Sequence, residues 1–154
     1  RGMGRGADWR HTEYTTLEVG KAETLCEGSR IAVIGSGPSV SVALDAAREI
    51  GPEVGVYNFR FIKPLDEALL KEIASRYEYI VTVEDGCLKG GLYGAVCEFV
   101  NDREFGCKIR GIGIPDKFIK QAKQKEQLHE CGLDKDGILA FLQKILLKSL
   151  HNDK

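Results

Sequence analysis

Three stretches of this sequence hold residues whose types and spacing could do chemistry, and each also has a plainer structural reading. Gly35-Ser36-Gly37-Pro38 follows the apolar run Ile31-Ala32-Val33-Ile34 and leads into a helical pattern. Backbone N–H groups at such a junction bind phosphate, but the third glycine of a dinucleotide fingerprint and the lysine of a P-loop are both missing here. A packing turn is the better reading. Glu84-Asp85 before Gly86 offers a carboxylate pair for general acid–base work, yet adjacent carboxylates at a strand end more often serve turns and helix caps. Asp134-Lys135-Asp136-Gly137 echoes a calcium loop but has too few carboxylates and no closing bidentate glutamate. Asp134 is instead placed to cap a helix.

The thiols and imidazoles add no reaction centre. Cys26, Cys87, Cys97, Cys107 and Cys131 are odd in number and scattered, without a Cys-x-x-Cys pair. That usage fits reduced thiols in a cytoplasmic chain, not a disulfide or zinc framework. The histidines at 11, 129 and 151 give no cysteine a partner by spacing. Within this chain no residue is therefore assigned to catalysis, to a cofactor or to a metal.

Positioning any of these residues falls to an alternation of strands and helices. Ile31–Ile34 is a strand buried on both faces, followed by a helix that carries Val42, Ala43, Ala46, Ala47 and Ile50 on one side and stops at Gly51-Pro52. Val54–Phe59, Tyr79–Glu84 and Lys108–Ile114 read as further strands. Pro64 is expected to open a second helix, with Asp66 and Glu67 at its positive end and a stripe of Leu65, Leu69 and Ile73. Gly90-Gly91 precedes a third helix through Leu92, Ala95, Val96 and Phe99. A short polar helix spans Gln124 to Glu130, and a last amphipathic one carries Ile138, Leu142 and Ile145. Ahead of them all, Thr15–Leu25 alternates apolar and polar residues as a half-exposed strand does. The short link through Gly28 leaves that strand either an antiparallel neighbour or a place at a nearby edge.

The expected fold is α/β, a sandwich around a mainly parallel sheet with the Ile31 strand at its switch point. Ser36, Arg60, Glu84, Asp85 and Asp116 should gather at its carboxyl edge. Residues 1–14, with three glycines and three arginines in the first ten, read as a linker or arm; 15–150 form the domain and 151–154 a tail. At 154 residues and 43% hydrophobic with a net charge of −1, the chain has a real core and no general affinity for nucleic acid or membranes. It starts at Arg1, ahead of its first methionine at position 3, and so reads as a piece of a longer polypeptide.

Three segments taken in order carry a resemblance. Arg60-Phe61-Ile62-Lys63-Pro64-Leu65-Asp66, Thr82-Val83-Glu84-Asp85-Gly86 with Gly90-Gly91, and Gly113-Ile114-Pro115-Asp116-Lys117-Phe118-Ile119 together resemble the carboxyl-terminal domain of the 1-deoxy-D-xylulose-5-phosphate synthases. Arg1-Gly2 and Cys131-Gly132-Leu133-Asp134 extend the likeness to about residues 1–148, with Gln121-Ala122 departing where a glycine is expected. The resemblance implies a three-layer α/β/α sandwich with five strands, the first antiparallel to the rest. It also implies a transketolase-type parent, a homodimer that uses thiamine diphosphate and Mg2+ held by domains upstream of this one. The parent would condense pyruvate with glyceraldehyde 3-phosphate, a step toward isoprenoid and thiamine precursors, and the fragment alone would be inert. Arg1 is the one substrate-binding residue it implies, as a contact to the acceptor's phosphate. Transketolase and 2-oxoacid dehydrogenase β chains share the Pro-Leu-Asp segment and are the competing parents; a free-standing regulatory module is the competing class.

Overall fold

Every second residue of the buried strands points to the opposite side of the sheet, and two apolar cores follow from that alternation. The computed structural model describes residues 16–152. Five strands lie in the order β1-β3-β2-β4-β5: β1 (Glu23–Cys26), β2 (Ile31–Ser36), β3 (Val54–Asn58), β4 (Tyr79–Cys87) and β5 (Lys108–Ile114). Strands β2 to β5 run parallel, and β1 pairs antiparallel with β3, Glu23 facing Asn58. Five helices complete the fold: α1 (Ser39–Ile50), α2 (Glu67–Arg76), α3 (Leu92–Asp102), α4 (Gln124–Glu130) and α5 (Lys135–Asn152).

Ile31, Val33, Val81 and Val83 face α1 and α5, meeting Ala43, Ala47, Ile138 and Leu142. Ala32, Ile34 and Ile80 face α2 and α3, meeting Leu70, Ile73, Leu92 and Val96. The three-layer sandwich with an antiparallel first strand is thus borne out, and the link through Gly28 carries the chain from β1 at the sheet's edge across β3 into β2. Gly28 does more than turn the chain: it lies so close to Gly55 that a Cβ on it would collide with the β3 backbone.

Several local expectations need correction. The first strand is shorter than the Thr15–Leu25 alternation suggests. Gly20 breaks it with a φ of 77°, Leu17 and Val19 are exposed, and only Glu23–Cys26 finds a partner. Pro64 does not open α2. The helix begins at Glu67, because the Asp66 carboxylate accepts the Leu69 N–H at 3.1 Å and so fixes the cap there. Its buried stripe is accordingly Leu70, Ile73 and Ala74, with Leu65 and Leu69 only half-buried. In α1, Val40 and Leu44 are buried while Val42 and Ile50 sit at the margin. Residues 1–14, Arg1 among them, lie outside the described residues.

Candidate functional site

In a parallel sheet the carboxyl ends of the strands are the place to look for a site. At the β2–α1 turn, a Cβ on Gly35 would run into Val40, and Gly37 takes a φ of 72°. The Ser39 hydroxyl donates toward the Ser36 carbonyl (2.8 Å) and the Val83 carbonyl (3.1 Å), tying the first turn of α1 to β4. The turn is a packing device, as its spacing suggests.

The two adjacent carboxylates part company, as neighbours on a strand must. Glu84 turns inward and is only 4% exposed. Its Oε2 accepts the Leu92 N–H and its Oε1 the Tyr93 N–H, both at 3.0 Å, so it caps the start of α3 from eight residues upstream. A Cβ on Gly91 would collide with that carboxylate, which accounts for glycine there. Asp85 is exposed beside Gly37. The two do not face a common point, so no shared-proton dyad forms.

Arg60 pairs with Glu23 across β3 and β1 at 2.7 Å, the edge carboxylate contact its position suggests. Asp116 pairs with Lys89 at 2.7 Å on the exposed rim. Asp134 caps α5 by accepting the Gly137 N–H at 2.9 Å, and its other oxygen meets His129 Nδ1, which disposes of the calcium-loop echo. The hydrogen bond from His129, joined by that from Gly137, holds the Asp134 carboxyl below its ordinary range; the same contact raises the His129 imidazole above its own. Cys87 is exposed, and the other four thiols are half-buried. Burial pushes Cys97 and Cys107 up, away from thiolate character. Among the described residues no three His, Cys, Asp or Glu side chains come together in a way that could hold a metal ion.

Between these groups the edge carries two open hollows. One, of about 420 Å3, lies between α1, α4 and the ends of β4 and β5, lined by Val42, Asp85, Ile114, Leu128 and Leu133 among others. A second of similar size lies under Pro115 and Phe118, beside Cys87. Phe118 itself stands fully exposed. The sequence marks that residue only as part of a motif. The span from Glu84 to Leu92 matches no local capping pattern, and so hides the cap from sequence reasoning. Also hidden is a buried pair of hydroxyls: Tyr57 and Tyr77 meet at 2.8 Å, the latter accepting the Gly28 N–H. Burial holds the Tyr57 hydroxyl protonated far above its usual range.

The edge's carboxylates thus hold helices and strands in place, and apolar surface is left open beside them. The profile of the transketolase C-terminal domain family matches residues 20–138. Among curated relatives, the 1-deoxy-D-xylulose-5-phosphate synthase of Phocaeicola vulgatus is 42% identical over 146 residues, 92% of this chain and 23% of that protein. The synthase of Porphyromonas gingivalis is 39% identical over 96% of this chain and 24% of its own length, and that of Vibrio vulnificus 36% over 96% and 23%. The chain therefore spans about a quarter of the relatives it matches. A solved split-gene transketolase, described as an inactive β4 tetramer, superposes with a TM-score of 0.77 at 28% identity, over 84% of this chain and 43% of its own. The transketolase of Leishmania mexicana shares the fold, with a TM-score of 0.58 at 16% identity over 80% of this chain and 17% of its own.

Proposed function

Because the chain belongs to the transketolase C-terminal domain family, we propose that it is the carboxyl-terminal domain of a thiamine diphosphate-dependent 1-deoxy-D-xylulose-5-phosphate synthase. The observation that carries this is the 36–42% identity to such synthases over nearly the whole chain. That likeness favours a synthase over a transketolase, dehydrogenase or free-standing module. The parent reaction joins pyruvate to glyceraldehyde 3-phosphate with loss of carbon dioxide.

The described residues do not suit the cofactor's diphosphate and Mg2+. Glu84 is committed to α3, Asp116 to Lys89, and no third carboxylate joins either. We therefore assign thiamine diphosphate and its metal to other domains of the parent, and to this domain a structural, interface-forming role. Arg1 is the residue we assign to substrate, as a bidentate guanidinium for the acceptor's phosphate. The same reading carries a cytoplasmic homodimer. Among the described residues no helix is long and apolar enough to cross a membrane, and nothing in that opposes it.

The test is the full-length chain assayed for two reactions, deoxyxylulose phosphate from pyruvate and glyceraldehyde 3-phosphate, and ketol transfer between sugar phosphates. The first is expected, and ketol transfer alone would overturn the reading. Arg1→Ala in that chain should raise the apparent constant for glyceraldehyde 3-phosphate about tenfold to hundredfold, since a hydrogen bond to a charged group contributes roughly 1.5–3 kcal/mol, and should leave that for pyruvate nearly unchanged. Equal losses for both substrates would make Arg1 a junction residue instead.

A further inference from the structure

Four large apolar side chains stand exposed among the described residues: Leu17 (47%), Val19 (68%), Phe118 (104%) and Leu147 (60%). Three of them lie at the carboxyl edge. Phe118 follows the end of β5. Leu17 and Val19 precede Gly20, which packs on Pro64, and Ala22, whose N–H binds Asp66 at the start of α2. We propose that this edge, with Phe118 as its anchor, is the surface on which the preceding domains of the synthase chain dock. The inference rests on the synthase reading and goes beyond it by naming the face and the residue.

Two properties make Phe118 an anchor. It is presented, not loose: Asp116 is held by Lys89 (2.7 Å), the Lys117 N–H bonds the Pro115 carbonyl (2.7 Å), and Gln127 bonds the Lys120 carbonyl (3.0 Å). A preset aromatic loses little freedom on binding, and such residues dominate contact energies. It also stands beside the hollow against Cys87 and next to the one between α1 and α4, so an opposing surface has recesses to fill. An exposed apolar ring with apolar recesses around it marks a contact face.

The direction of β1 identifies the occupant. Because β1 is antiparallel, its first residue Glu23 stands level with Asn58 at the carboxyl end of β3. The polypeptide leading into the domain therefore arrives at this edge. Four strand spacings separate β1 from β5, roughly 19 Å, a short span for the three quarters of a synthase that lie outside this chain's match.

The test uses the full-length synthase carrying Phe118→Cys, with maleimide labelling of that residue followed by peptide mapping. In the native protein the labelling should be at least about tenfold slower than in the same chain unfolded in urea. Equal rates would overturn the docking face. Hydrogen exchange on the unaltered full chain gives a second reading, and residues 115–120 should be protected although they form an exposed loop here. Protection that persists on dilution to monomer supports docking within one chain; protection lost on dilution would assign the face to a second copy and overturn the occupant. Formation of deoxyxylulose phosphate is assayed separately. An unaltered chain that is inactive yet protects residues 115–120 would refute the parent reaction and leave the docking face standing.

Discussion

The two edges of this sheet use polar groups in opposite ways. At the amino edge, charges close the structure onto itself: Arg30 donates to the Ser149 hydroxyl (2.6 Å), Ser149 donates to Glu78, and Lys108 reaches Glu78 at 3.2 Å while lying over the Tyr79 ring. This network fastens the far end of α5 to β2, β4 and β5. At the carboxyl edge the buried carboxylates of Glu84 and Asp66 cap helix starts, the Ser39 hydroxyl ties α1 to β4, and the apolar surface around Phe118 is left uncovered. One edge ties the last helix to the strands through charges, and the other leaves an aromatic ring uncovered. Buried carboxylates alone therefore do not mark chemistry here; what surrounds them tells their use.

A change to the strands that both edges share should cost most. Val33 is fully buried, and Val33→Asp would place an unpaired charge in the core at a cost of several kcal/mol, comparable with the roughly 5–15 kcal/mol that holds a domain together. No cooperative unfolding transition is expected. A soluble variant with a sharp melt would mean that β2 is not the core strand both edges share. Next in size is Glu84→Ala, which leaves the Leu92 N–H buried without a partner and frees the half-buried Tyr93 N–H, a loss of about 3 kcal/mol from roughly 1–3 for each. Urea unfolding would measure it. Gly91→Ala should approach that loss by collision with the same carboxylate. If both variants are near neutral, the carboxyl edge does not depend on its cap.

These two positions show what the sequence discloses and what it hides. Val33 lies in a continuous β-branched run, and such runs announce a strand covered on both faces; β2 and β4 were legible on that basis, and α1 from its apolar face between the glycine turn and Gly51-Pro52. Arg60 was legible as a cation at the carboxyl edge, but its partner Glu23 was not. Glu84 appeared only as a generic cap candidate, since its targets lie across a loop. The start of α2 was misjudged for a related reason. Proline suits a first helical turn in general, but Asp66 accepts both the Leu69 N–H and, from forty-four residues away, the Ala22 N–H. That second bond is tertiary and leaves no local mark. The exposure of Phe118 was equally invisible, since a motif shows neither what covers a residue nor what does not.

The amino edge should yield smaller effects. Ser149 is 1% exposed, and Ser149→Ala removes bonds to two partners that can return to water, about 1 kcal/mol. The same network gives a pH signature. The hydrogen bond from Ser149, then that from Lys108, lowers the Glu78 carboxyl below its ordinary value. A depressed carboxyl contributes stability that is present above its unfolded pKa of about 4.3 and is lost as pH falls through the folded value. Urea midpoints taken from pH 5 downward should drop less steeply in Glu78→Gln than in the unaltered protein. Parallel slopes would show that the closed edge owes nothing to this charge.

The smallest effect expected is at the α4–α5 junction, on the side of the open edge. The hydrogen bond to Asp134, and then its charge, raise the His129 imidazole above the ordinary value near 6.5. A raised imidazole contributes stability that is fully present below that value and fades as pH climbs through the folded pKa, the reverse of the Glu78 case. The ring is 75% exposed, so solvent screens the pair and little stability is at stake. Asp134 also keeps its bond to the Gly137 N–H whether or not the imidazole is charged, so the start of α5 should survive the titration. The measurement that isolates the contact is NMR titration of the imidazole carbons. His129 should titrate above 6.5, and Asp134→Asn should return it to the ordinary value. A His129 that titrates at or below 6.5 in the unaltered protein would dissolve the pair and leave Asp134 to its bond with the Gly137 N–H.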